Sequence, residues 1–194
     1  MSEFYESPYD QIRNQQFSIE DFLYTYMSEK GKINYFSYWD AYNIPGETVD
    51  SFIKTFEFQL TIAEKELLKI IFSYINSNEP YYLISALNGK KSDFEHELCH
   101  AKYKLDPVYK KKVRSIVEKI PKRLFKQFKN NLIEFGYAND DEIIVDEINA
   151  YLSTSSKKYI KNNFVFDDKI LKYREMLSKE FKKIKKSINI NTIF

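Results

Sequence analysis

The chain contains two histidines, and both fall within one pentapeptide, His96-Glu97-Leu98-Cys99-His100. Residues four apart share one face of an α-helix, a single turn between them. Two imidazoles so placed can share a metal ion, and zinc suits nitrogen ligands of this kind. Glu97 stands beside the first imidazole, where its carboxylate can hold and deprotonate a water instead of ligating. Zinc lowers the pKa of a bound water toward ~7, so the chemistry on offer is metal-assisted hydrolysis at neutral pH. The plainer reading is a pair of ordinary histidines on a helix beside an incidental glutamate.

The pattern is informative only on a helix. Ser92 with Glu95 three residues later forms a capping box, which predicts a helix over about 93–104. Asp106-Pro107 ends that helix and begins another, with Asp106 as N-cap and Pro107 at the first helical position. A further helix opens at Pro121, carries Leu124, Phe128 and Phe135 on one face, and stops at Gly136. Asn139 with Glu142 caps the next, about 140–153, ahead of a Ser/Thr cluster at 153–156. The last, about 167–188, aligns Ile170, Arg174, Leu177, Phe181, Ile184 and Ile188 along one stripe.

Upstream, Ser18 and Gly31 bracket a short helix over 18–30, and Thr61 with Glu64 caps a helix that runs to about Ser77. Residues 33–43 are aromatic and read as a strand closed by Pro45-Gly46. Tyr81 to Leu87 read as a second strand closed by Asn88-Gly89. The first 16 residues are polar, lack periodicity and are expected to fray. Many helices and few strands imply an α+β fold with a small sheet. No linker or internal repeat stands out, so one domain over 1–194 is expected.

The pentapeptide on its capped helix resembles the active-site helix of the zincin superfamily of zinc metallopeptidases, and the resemblance covers residues 80–153. It implies a mainly helical domain with the small sheet packed beside the active-site helix, and residues 154–194 as a C-terminal helical region. It also implies Zn²⁺ as cofactor, a peptide or protein substrate, and Glu97 as general base. A third ligand separates the branches of the superfamily. In the metzincin pattern the corresponding places hold Tyr103 and Asp106. In the gluzincin pattern a glutamate comes from a later helix, and Asp146-Glu147-Ile148-Asn149-Ala150-Tyr151 resembles that segment. The gluzincin likeness implies His96, His100 and Glu147 as metal ligands. Ala150, one turn past Glu147, would then let its helix approach closely. Glu142 and Glu134 are fallback ligands. Such enzymes often use a tyrosine or histidine to stabilise the oxyanion. With no histidine left, Tyr151 is the candidate and Tyr159 follows it. The competing expectation is a catalytically inactive protein that keeps the scaffold as a binding module.

Composition narrows the alternatives. Thirty Lys and Arg against 28 Asp and Glu give a net charge of +2, which offers no general attraction for nucleic acid. The Lys-rich stretches 110–112 and 182–186 read as solvated helix faces. One Cys excludes an internal disulfide framework and suits a reducing compartment, and Cys99 reads as a small buried hydrophobe. No apolar run approaches the ~18 residues of a membrane span, and the acidic start lacks the pattern of a secretory signal. A cytoplasmic protein bound to no membrane is expected.

Overall fold

The computed structural model describes residues 4, 5, 7, 9–31, 41–56, 59–75, 79–86, 91–165 and 167–185. The chain divides into two compact units, residues 1–85 and 86–194, although no linker composition separates them. The described residues are mainly helical with one two-stranded antiparallel sheet, an α+β composition. None of the helices among them is long and apolar enough to cross a membrane.

The first unit holds α1 (Ile19–Lys30), β1 (Ala41–Pro45), α2 (Gly46–Phe56), α3 (Ile62–Tyr74) and β2 (Tyr82–Ala86). Helix α1 starts from a reciprocal box in which Ser18 N donates to Asp21 Oδ2 at 2.8 Å and Asp21 N donates to Ser18 Oγ at 3.0 Å. Thr61 and Glu64 begin α3 in the same way. That helix ends at Tyr74 with Ile75 extended, while the expected continuation through 76–77 lies outside the described residues.

Of the strand expected over 33–43, residues 33–40 lie outside the described residues, and pairing runs over Ala41–Pro45. The turn residues Asn88-Gly89 also lie outside them. Helix α2 departs from the sequence reading, which took Pro45-Gly46 as a closing turn. Gly46 is instead the first residue of a helix that buries Val49, Phe52 and Phe56. A side chain at Gly46 would put its Cβ 2.6 Å from the Tyr81 ring, so glycine is what lets strand pass into helix there.

The start of the chain also differs from expectation. Phe4 and Ile12 are buried, and Asn14 N donates to Phe4 O at 2.8 Å. Phe4 packs edge-on against Phe52 and Phe56, at 5.8 and 5.9 Å between ring centroids. A few aromatic anchors hold this segment, and anchors of that kind leave no periodic signature in sequence.

The second unit is helical: α4 (Lys91–Leu105), α5 (Pro107–Val117), α6 (Lys122–Glu134), α7 (Asp141–Thr154), α8 (Lys157–Asn163) and α9 (Ile170–Lys185). Helix α7 is central, packing against α4, α5, α6 and α9. Ala101 on α4 and the fully buried Ala150 on α7 are small, which suits close helix packing. Asp106 caps α5 through Val108 N and Tyr109 N.

Two caps fall elsewhere than the sequence suggests. Ser92 lies inside the first turn of α4 and bonds Asp93. Asp140, not Asn139, caps α7. Helix α8 rises out of the Ser/Thr cluster, with Ser156 as its N-cap. On α9, Ile170, Leu177 and Phe181 are buried, and Arg174 closes the end of α7 by donating twice to Ser155 O, at 3.0 and 2.8 Å. The side chain of Ile184, and Ile188 altogether, lie outside the described residues.

Candidate metal centre

Helix α4 presents His96 and His100 on one face, with their Nε2 atoms 3.2 Å apart. Glu147 reaches them from α7, its Oε1 3.5 Å from His100 Nε2 and its Oε2 3.7 Å from His96 Nε2. Donor atoms of these three residues all lie within 4.8 Å of one another. A tetrahedral ion with ~2.1 Å bonds has donor–donor edges of ~3.4 Å, so two imidazoles and this carboxylate have the spacing and chemistry to hold one. Glu147 Oε2 is also buried without a hydrogen bond. A buried carboxylate oxygen left in that state costs free energy unless a cation or donor meets it.

The electrostatics of the trio follow from burial and proximity. His100 is buried, and burial alone would lower its pKa. The carboxylates of Asp146, Glu147 and Glu97 outweigh that effect and raise it from 6.5 to about 10. Asp146 Oδ2 sits 3.0 Å from His100 Nδ1. A carboxylate there orients the ring, fixes the Nδ1–H tautomer and leaves Nε2 as the free donor. Burial raises the pKa of Asp146 despite that contact. For Glu147, burial pushes upward, but His100, His96 and the Tyr137 hydroxyl together hold its carboxyl below the usual range.

Glu97 is largely buried. After burial, its charge is among the influences raising the pKa values of Tyr137 and Tyr151. Tyr151 stands its ring edge-on to His96, 4.6 Å between centroids. Its hydroxyl is 2.9 Å from that of Tyr137. Tyr159 stacks on Tyr151 at 6.2 Å but is exposed.

Tyr137 was not singled out from sequence. It follows the end of α6, where Gly136 adopts φ +100°, Gly136 N donates to Ile133 O and Tyr137 N donates to Leu132 O. This paired closure needs a left-handed residue, and it delivers the next side chain, Tyr137, to Glu147. The one available signal was the tyrosine directly after the glycine stop.

Other candidates for a third ligand are engaged elsewhere. Asp106 is held by its cap and by Lys102 Nζ at 3.1 Å. Glu142 pairs with Lys110 and Arg114. Glu134 is exposed at the end of α6. On another side of the α4–α7 contact, Cys99 is buried and its thiol pKa is pushed up to about 12, by burial above all.

No known protein family, curated protein or solved structure matches this chain.

Proposed function

We propose that this protein is a zinc-dependent metallopeptidase of the zincin class, gluzincin-like in its ligand set, acting on peptide or protein substrates in the cytoplasm. The observation that carries the reading is the convergence of His96 Nε2, His100 Nε2 and the Glu147 carboxylate, with the neighbouring Glu97 buried.

These three side chains would hold the ion, which supplies Lewis acidity toward a carbonyl and toward water. Asp146 keeps His100 Nε2 turned toward the site. Glu97 takes a proton from the attacking water and returns it to the leaving amine. Tyr151 and Tyr137 have two hydroxyl protons between them. With Tyr137 giving its one proton to Glu147, the Tyr151 proton can turn from Tyr137 to the negative oxygen that develops on the substrate.

Two measurements on the full chain test it: zinc content of the purified protein, and digestion of a peptide library by wild type and Glu97→Gln. The expected result is about one zinc per chain in both proteins, with hydrolysis reduced by at least ~100-fold in Glu97→Gln. Full activity in Glu97→Gln would overturn the mechanism, and absence of bound metal in wild type would overturn the reading. Bound zinc without any hydrolysis by wild type would favour an inactive scaffold used for binding.

A further inference from the structure

One group of buried polar side chains takes no part in the donor set. Cys99, Tyr109 and Asn149 are fully buried and lie on three different helices, α4, α5 and α7. The Tyr109 hydroxyl donates to Asn149 Oδ1 at 3.0 Å. Asn149 Nδ2 donates to Cys99 Sγ at 3.3 Å. Cys99 Sγ and the Tyr109 hydroxyl are 3.4 Å apart.

Proton counting fixes the remaining direction. A hydroxyl has one proton, and that of Tyr109 is already given to Asn149, so across the last contact the thiol must donate and the tyrosine oxygen accept. The three groups close a ring in which each gives one hydrogen bond and receives one. Ser153, one turn beyond Asn149, adds a bond from its Oγ to Asn149 Oδ1 at 3.3 Å.

The ring sits beside the donor set in sequence as well as in space. Cys99 immediately precedes His100, and Asn149 lies two residues after Glu147. Leu98, Ala101, Ile148 and Ala150, buried on the same two helices, are apolar, and contacts of that kind are non-directional and tolerate a slide. The ring does not. Shifting α7 along α4 by one residue, ~1.5 Å, lengthens and misaligns these bonds, which weaken steeply away from their preferred geometry. The same shift carries Glu147 away from the two imidazoles.

We infer that the Cys99–Tyr109–Asn149 ring is a positioning device for the metal centre, holding α7 on α4 in the one register that brings Glu147 to His96 and His100. The inference rests on the metal-binding reading above. It assigns to these three residues a role in ligand geometry that is separate from filling the core.

The test uses the full-length protein, zinc as probe, and the variants Tyr109→Phe, Cys99→Ala and Cys99→Ser. Tyr109→Phe keeps the ring's volume and removes two of its bonds. Cys99→Ala opens it, and Cys99→Ser restores a group that both donates and accepts. Zinc affinity is read by competition with a chromophoric chelator, geometry by the visible spectrum of bound Co²⁺, and core packing by melting of the metal-free protein.

Partners that hydrogen-bond a metal ligand directly are typically worth ~10–100-fold in affinity, and the ring acts one step further out. Tyr109→Phe and Cys99→Ala should therefore weaken zinc binding by a few-fold to about 10-fold and alter the Co²⁺ spectrum, with Cys99→Ser recovering most of both. Lowered melting temperatures with unchanged zinc affinity and unchanged spectra would overturn the inference and leave the ring as core packing. If Tyr109→Phe fails to fold, the Cys99→Ala and Cys99→Ser pair decides by the same comparison. Wild type that binds no zinc sinks the metal-binding reading, and this inference with it. Wild type that binds zinc while the variants bind equally well sinks this inference alone.

Discussion

The two compact units bury different chemistry. In residues 1–85 the interior is aliphatic and aromatic: Ile44, Val49, Leu68 and Ile71 form one cluster, and Phe4, Phe52 and Phe56 another. Among its described residues the buried polar ones are Ser7, Thr25 and Asn43, and Asn43 accepts from the Tyr82 hydroxyl across the sheet. In residues 86–194 the interior also takes in Glu97, His100, Glu147, Asn149 and Ser153. Burying a charge costs several kcal/mol unless partners offset it, and a hydrophobic residue at Glu147 would serve packing better. Among the described residues of the first unit, burial is accounted for by apolar packing and that cross-sheet hydrogen bond. The second buries titratable groups whose desolvation has to be offset by partners, which is where functional sites cluster.

Two substitutions of opposite kind should break that comparison most sharply. His100→Ala removes a donor whose loss should weaken zinc binding by more than ~100-fold, since even outer-shell partners are worth ~10–100-fold. Phe52→Ala in the other unit should lower stability by ~3–5 kcal/mol and leave the zinc affinity of the folded protein unchanged. Chemical denaturation paired with chelator competition reads both quantities. Equal zinc affinity in His100→Ala and wild type would remove the metal centre altogether. A large affinity loss in Phe52→Ala would mean that the division between the units is wrong.

A second contrast separates metal-free from metal-loaded protein. The carboxylates around His100 overcome burial and raise its pKa from 6.5 to about 10. In the metal-free protein, this contribution to stability is complete below pH ~6.5 and is lost as pH rises through about 10. Zinc needs the neutral ring, so its binding must displace a proton, and its affinity should rise about tenfold per pH unit as protons become scarcer. Raising the pH from 7 to 10 should thus lower the metal-free melting temperature while tightening zinc binding. His100→Gln should lose the first slope. Zinc affinity that ignores pH over this range would contradict the charge state assigned to His100.

How much of this was legible depends on which physical signal each residue leaves. The His96–His100 pair is plain, because i, i+4 spacing on a helix is local and the chain has no other histidine to confuse it. Glu147 was reachable through resemblance alone, since nothing in the pentapeptide says which carboxylate arrives from α7. Asp146 stood next to it in sequence, yet its bond to His100 Nδ1 depends on how α7 is rotated against α4, which periodicity does not specify.

Among the helices, α2 was hidden by Pro45-Gly46, a pair that breaks chains more often than it starts a helix, although Val49, Phe52 and Phe56 keep helical spacing. Helix α8 is only two turns long, and its cap, Ser156, lies in the Ser/Thr cluster at 153–156, to which the sequence reading gives no helix. The caps at Ser92 and Asn139 were misjudged because a Ser or Asn near a helix start leaves the same sequence trace at several adjacent positions. Asp140 outcompeted Asn139 by accepting from two backbone amides, at 2.8 and 3.1 Å.

The smallest predicted effect sharpens the view that the second unit's backbone serves its site. Gly136 lies at φ +100°, a conformation that a side chain strains, although nothing would stand within 4 Å of an added Cβ. Gly136→Ala should therefore cost ~1–3 kcal/mol from backbone strain alone. Relief of that strain comes by unwinding the closure of α6, which withdraws Tyr137 from Glu147 and Tyr151. The same variant should then show a few-fold loss in zinc affinity, smaller than that of any ligand substitution. Tyr137→Phe, which leaves the turn intact, should reproduce the affinity loss without the full stability loss. If Gly136→Ala is destabilised while Tyr137→Phe binds zinc like wild type, Tyr137 is packing against the carboxylate and contributes nothing to holding it.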